Sequence, residues 1–256
     1  MTRKELNNSN VIKNISSDES EIIHSILDLY GNGADTFDAD FTASTLNFYK
    51  KRRGWKYTIP VPEHLYDVAP SIKDRIEKIT PFHRIPAEDD SFESICIDLP
   101  FVITPKTSKS ATKDGANITA KRFGGWYPAN EGYYNMYWWL KEAYRTLKPG
   151  GIVAYKMQST VSGGVQVPYV PFSIAAAQRL GFYFVDEFHL QAKFRLIPAV
   201  KIKKQQHARK YTSSWLVFVK EKNQTKARKT NINSILDDIQ AIDNEGKLEG
   251  YEFPVK

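Results

Sequence analysis

Apolar residues recur at helical spacing at Ile22, Ile23, Ile26, Leu27 and Tyr30, with Ser17 or Asp18 ahead of them in capping position. Gly31-Asn32-Gly33 follows a helix and not a strand, so it reads as a helix stop and not as a nucleotide loop. Leu65-Tyr66-Asp67-Val68 predicts a strand that ends in an acid before Pro70, and residues 71–79 predict a short amphipathic helix. Ser94-Ile95-Cys96-Ile97 is a short, mostly apolar run of the kind that forms a buried strand of a parallel sheet. It leads into Asp98-Leu99-Pro100-Phe101, where Pro100 ends the strand because it has no N–H for the ladder. A helix over 135–147 follows, then Lys148-Pro149-Gly150-Gly151 and a strand over 152–158. A further helix over about 171–180 closes at Gly181. The segment from Phe182 to Leu190 pairs with Ser214 to Val219 as an antiparallel hairpin, and an acidic amphipathic helix runs from Ile232 to Ile242.

Composition narrows this picture. The 256 residues suit one substantial domain over residues 21–222, between a polar tail at 1–20 and a C-terminal tail at 223–256. No apolar run approaches the ~20 residues that span a bilayer, and Met1 to Ser20 carry no apolar signal core. The single cysteine, Cys96, excludes an internal disulfide framework and a cysteine zinc site, so an intracellular setting without membrane or metal is expected. A net charge of +7 favours a polyanionic partner.

Basic residues mix with aromatic ones in three places. Lys50-Lys51-Arg52-Arg53 stands beside Trp55 and Tyr57. Residues 104–134 read as a long irregular loop with Lys121 and Arg122 just before Phe123-Gly124-Gly125-Trp126-Tyr127. The connection inside the terminal hairpin carries Lys203, Lys204, His207, Arg209 and Lys210, in the densest basic segment of the chain. Lysine and arginine suit phosphates and rings suit unstacked bases, so Lys121, Arg122, Trp126, Lys203, Lys204, His207, Arg209 and Lys210 are the candidate nucleic-acid contacts. The plainer reading of each run is a solvated surface.

Asp98 falls at the carboxyl end of its strand, where open α/β sheets place ligands. A base amino group is a poor nucleophile because its lone pair is delocalised into the ring. A carboxylate and a backbone carbonyl that accept its two N–H bonds draw the nitrogen towards tetrahedral geometry and free that pair. Asp98, the Leu99 carbonyl, the turn at Pro100 and the ring of Phe101 offer these parts, the ring as a stacking surface for an extruded base. The structural alternative is a strand that simply ends in an Asp and a turn.

The Asp-Leu-Pro-Phe stretch resembles the acidic-x-Pro-aromatic motif of S-adenosylmethionine-dependent amino-methyltransferases, with Leu99 where most of them carry a second proline. Asp40, Thr42, Ser44, Asn47, Phe48 and Tyr49 match in register the cofactor loop of a phage-type and bacterial DNA methylase branch, with Leu46 in place of its glycine. Helix, Leu-Lys-Pro-Gly-Gly and strand resembles the entry to the fifth strand of that fold. The resemblance covers about residues 21–220. It implies a Rossmann-like α/β fold with a seven-stranded, mostly parallel sheet and a terminal antiparallel hairpin. It further implies S-adenosylmethionine as cofactor, held by Asp40, Thr42, Ser44, Asn47, Phe48 and, at the ribose, Asp67. Asp98, Leu99, Pro100 and Phe101 would be catalytic. The implied activity is methylation of an exocyclic amino group in DNA, at N6 of adenine first, in a bacterial or phage-infected cytoplasm. RNA or N4 of cytosine as target, and a methyltransferase-like nucleic-acid-binding protein without catalysis, remain the alternatives.

Overall fold

The computed structural model describes residues 11–103, 124–126, 128–193, 205–222 and 224–244. Among the described residues there are ten strands: β1 (Ile15–Ser16), β2 (Ala39–Asp40), β3 (His64–Asp67), β4 (Glu77–Lys78), β5 (Phe92–Asp98), β6 (Leu147–Met157), β7 (Thr160–Ser162), β8 (Val165–Val167), β9 (Tyr183–Gln191) and β10 (Thr212–Val219). The helices are α1 (Glu19–Tyr30), a short 3₁₀ turn (Asn47–Tyr49), α2 (Ala129–Thr146), α3 (Tyr169–Leu180), α4 (Gln224–Lys229) and α5 (Ile232–Asn244).

Eight strands form one sheet in the order β1-β9-β10-β6-β5-β2-β3-β4, while β7 and β8 make a separate hairpin. β10 is antiparallel to both β6 and β9, and the other pairings within the large sheet are parallel. From β2 the chain steps outward to β3 and β4, then returns to place β5 on the other side of β2. The crevice outside the carboxyl ends of β2 and β5 is therefore the switch point at which doubly wound sheets bind ligands. This is the Rossmann-like order with its antiparallel hairpin, and the expected fold class stands.

Strand alternation divides the core between two faces. Ile95, Ile97, Val153, Tyr155, Leu216 and Phe218 pack with Met136, Leu140 and Ala143 of α2 and Tyr169 and Ala177 of α3. Cys96, Ala154, Trp215 and Val217 point the other way, towards Ile22, Ile23, Ile26 and Leu27 of α1. α1 opens at Asp18, whose carboxylate accepts the Ser20 N–H at 2.9 Å, one of the two caps expected. α3 ends at Gly181 with φ +103°, as the glycine predicted.

Four local expectations are corrected. No helix forms over 71–79: the Ile72 carbonyl accepts the Arg75 N–H at 3.3 Å and the Ile76 N–H at 2.9 Å, which closes one turn, after which β4 pairs with β3. Prolines at 70 and 81 bound a segment too short to propagate a helix. Residues 15–16, expected in the polar tail, add β1 to the sheet edge, so the sheet has eight strands. α2 begins at Ala129, inside the expected loop. Lys148 to Gly151 form a bulge within β6, where Gly150 donates to the Lys220 carbonyl at 2.7 Å with φ +93°. At the C-terminal side, the buried Gln178 of α3 accepts the Ile232 N–H at 3.0 Å and donates to the Thr230 carbonyl at 2.8 Å, which docks α5 on the domain.

Candidate active site

Three carboxylates stand at the carboxyl ends of three neighbouring strands: Asp40 on β2, Asp67 on β3 and Asp98 on β5. Asp40 is 1% exposed and closes the loop that follows it. Its Oδ1 accepts the Thr42 N–H at 2.8 Å and the Thr42 hydroxyl at 3.2 Å, and its Oδ2 accepts the Tyr49 hydroxyl at 2.8 Å. Burial pushes its pKa up to about 7, against the pull of these donors. Asp67 accepts the Ser44 N–H at 2.9 Å and the Ala69 N–H at 2.7 Å, and burial raises its pKa too.

Between the two acids the loop takes two non-glycine residues to positive φ, Ser44 at 43° and Leu46. Leu46 adopts φ 59° and ψ 40°, the left-handed conformation natural to glycine, at a cost of about 1 kcal/mol for a residue with a Cβ. Its side chain is 5% exposed and packs in the α1-side core. Leu46 thus reproduces a glycine's backbone and sends its bulk away from the strand ends. Phe48 is buried, whereas Asn47 lies exposed at the start of the 3₁₀ turn.

Thr42 joins this loop to the motif, since its hydroxyl oxygen accepts the Asp98 N–H at 2.7 Å. Asp98 lies directly opposite Lys156 in the β5–β6 register. The Lys156 ammonium lies 3.5 Å from Asp98 Oδ2 and 2.6 Å from Glu19 Oε1, at the first residue of α1. It also sits 5.0 Å from the ring centre of Phe48 and 5.7 Å from that of Trp215. The lysine is 9% exposed, while the Asp98 side chain remains 29% exposed. Burial pushes the Asp98 carboxyl up to about 6, with Lys156 restraining the rise and Glu19 adding to it. Burial opposes the charge on Lys156, but Asp98 and Glu19 outweigh it and raise its pKa above the ordinary value.

Beyond Asp98 the turn is braced from below. The Leu99 side chain is buried among the α2-side core residues, which anchors the turn where a second proline would stiffen it. The Pro100 carbonyl accepts the Trp126 indole N–H. Trp126 also donates its backbone N–H to the Val102 carbonyl at 2.9 Å and bridges to Ile103. A Cβ at Gly124 would stand 2.9 Å from the Pro100 ring, so only glycine fits that approach. Phe101 is half-buried at the edge of the same core.

The sequence-predicted residues divide accordingly. Asp40, Thr42, Ser44, Asp67 and the Asp98–Phe101 turn converge on the switch point, with Phe48 beneath Lys156 and Asn47 at the rim. Trp126 is brought against the motif, as a brace on Pro100. His207 contacts the β7–β8 hairpin instead, its Nε2 2.8 Å from the Gly164 carbonyl. Arg209 is exposed and Lys210 half-buried. Lys121, Arg122, Lys203 and Lys204 lie outside the described residues. Sequence reasoning missed Lys156, Glu19 and the structural part of Tyr49. One signal for Lys156 was present: a lysine inside Ile152-Val153-Ala154-Tyr155-Lys156-Met157 is a charge in an otherwise apolar strand.

Among the described residues no group of three or more His, Cys, Asp and Glu side chains is arranged to hold a metal, and no helix is long and apolar enough to cross a membrane. No protein-family model and no curated protein matches the chain. Solved structures do. A protein assigned as a DNA modification methylase from Thermus thermophilus, crystallised with S-adenosyl-L-methionine, is 15% identical over 54% of this chain and 51% of its own, with a TM-score of 0.33. A protein assigned as a sarcosine dimethylglycine methyltransferase from Galdieria sulphuraria is 15% identical over 79% of this chain and 85% of its own, with a TM-score of 0.45. The TehB-like SAM-dependent methyltransferase from Corynebacterium glutamicum is 14% identical over 61% and 66%, with a TM-score of 0.31. The chain spans about half the length of the Thermus protein.

Proposed function

We propose that the protein is an S-adenosylmethionine-dependent methyltransferase that acts on the exocyclic amino group of a nucleic-acid base, N6 of adenine in DNA before other targets. One observation carries the reading: a partly exposed carboxylate at the carboxyl end of β5, paired with Lys156, on a residue whose backbone N–H donates to Thr42 of the loop at the end of β2. The acceptor for an amino group and the residues suited to a cofactor are thus one connected unit.

The donor set fits that cofactor. Asp67, at the end of β3, has the place and chemistry for ribose hydroxyls, and each of its oxygens keeps a lone pair beyond the backbone N–H it already accepts. Leu46 holds its loop in the glycine-like conformation with its side chain in the core, which speaks against an inactive binding protein. When bound, the cofactor supplies an electrophilic methyl on a sulfonium.

In this reading Asp98 and the Leu99 carbonyl accept the two amino N–H bonds, and Phe101 stacks on the base. Held this way, the nitrogen would present its lone pair to the methyl that the cofactor would supply, and the amino group would lose one proton after the transfer. Activity should rise through about pH 6 as Asp98 ionises, then level off. The basic excess of the chain supports a phosphate-bearing substrate.

The test is to incubate the purified protein with unmethylated DNA, or with RNA in parallel, plus cofactor, and to measure methylated nucleosides by mass spectrometry. N6-methyladenine from DNA is the expected product. N4-methylcytosine or methylated RNA would redirect the target. Asp98→Ala should lower turnover by at least about 10²-fold while calorimetry shows cofactor binding kept. Full activity in that variant would remove Asp98 from the chemistry.

A further inference from the structure

We infer that Lys156 is the positioning residue of the motif carboxylate: held by Glu19 and by the faces of Phe48 and Trp215, its ammonium fixes Asp98 through Oδ2 and keeps it charged and aimed at the substrate. The part that concerns the amino group rests on the function proposed above. The electrostatic part concerns only this chain.

Four contacts hold the ammonium from different elements. Asp98 is its register neighbour on β5, Glu19 reaches it from the start of α1, Phe48 faces it from the 3₁₀ turn, and Trp215 faces it from β10. A lysine chain has four rotatable bonds, and a cation used merely to balance charge needs no such confinement. Glu19 lies nearer, at 2.6 Å against 3.5 Å, so it takes the stronger share of the ammonium and sets its place. Asp98 is then held at a fixed but longer reach, which leaves its Oδ1 as the oxygen assigned to the amino N–H.

The titratable groups that face Asp98 come from each element packed around it. They are Lys156 from β6, Glu19 from α1, Asp40 from β2 and Cys96 from its own strand, with Tyr49 bound to Asp40 behind them. Glu19 and Asp40 are acids, so Lys156 is the cation that keeps a third carboxylate ionised beside them. Its removal leaves Asp98, among the described residues, facing Glu19, Asp40 and Cys96. A protonated Asp98 offers one fewer acceptor to the amino group and a donor in its place.

The experiment compares wild type, Lys156→Met and Lys156→Arg. Direct ¹³C NMR titration of the Asp98 carboxyl reads its ionisation without any substrate. In K156M its midpoint should rise by at least about one pH unit, and in K156R it should stay near wild type. In the methylation assay the acid limb of the K156M pH–rate profile should move up by the same amount. kcat should then fall about threefold at pH 6.5, with cofactor affinity unchanged. Should K156M fail to fold because Glu19 is left without its partner, the double variant K156M/E19Q takes its place, with a smaller rise expected because Glu19 itself raises the Asp98 midpoint. An unmoved Asp98 titration, or an equal rise in K156R and K156M, overturns the inference. If wild type methylates no base, the proposed function fails, and the NMR titration still decides the role of Lys156.

Discussion

The two faces of the central strands differ by a one-residue step. On β5, Ile95 and Ile97, and Leu99 just beyond it, face α2 and α3, whereas Cys96 and Asp98 face α1. On β6, Val153, Tyr155 and Met157 alternate with Ala154 and Lys156 in the same way. One face is almost wholly apolar, and the other carries the buried acids, their lysine and the strained loop. Because side chains on a strand alternate, three strands supply a stabilising surface and a chemical one from the same backbone. The apolar face can then offset what the charged face costs.

Four measurements would break or sharpen this contrast. The largest effect should come from the apolar face: Phe218→Ala, at a fully buried position, should lower the unfolding free energy by about 3–5 kcal/mol in urea denaturation. A loss well below that would mean the α2–α3 face is not the main support. On the opposite face the carboxylates should cost stability near neutral pH. Asp40 and Asp98 bind protons more tightly folded, at about 7 and about 6, than at the ordinary 3.8. Stability from these groups is therefore complete below about pH 4 and declines as pH rises towards 7. Asp40→Asn should flatten that decline and gain on the order of 2 kcal/mol at pH 8, read from denaturation curves across pH. A steeper decline in the variant would reverse the assigned sign.

Leu46→Gly sets strain against packing. Relief of the left-handed turn returns about 1 kcal/mol and loss of a buried leucine costs about 3, so a net loss near 1–2 kcal/mol is expected, with cofactor affinity retained. A gain in stability would show that strain dominates. The smallest effect belongs to neither face. Lys148→Ala removes an exposed ion pair with Glu93 at 3.3 Å and should change thermal stability by no more than about 0.5 kcal/mol.

Elements with local punctuation were legible in the sequence. Asp18, Gly31, Pro100 and Gly181 mark ends by their own backbone chemistry, and each stands where its element starts or stops. The 71–79 segment misled because its apolar spacing fits one helical turn as well as two, and only pairing with β3 decides between them. The carboxylates of the site were readable as acids at strand ends. Their lysine was not, because Glu19 and Lys156 meet only when α1 is laid across the sheet. Leu46 stood out as a departure from a glycine. That its φ would stay positive is a property of the loop that the acids on either side hold in place.

The short bridge between Ile103 and Trp126 has a mechanical consequence. It fixes the two ends of the intervening stretch side by side, directly behind the motif turn. A chain whose ends are already clasped can be lengthened at only about 0.6 kcal/mol per doubling. The clasp therefore holds the Asp98–Phe101 turn in place whatever the length of chain between its two ends.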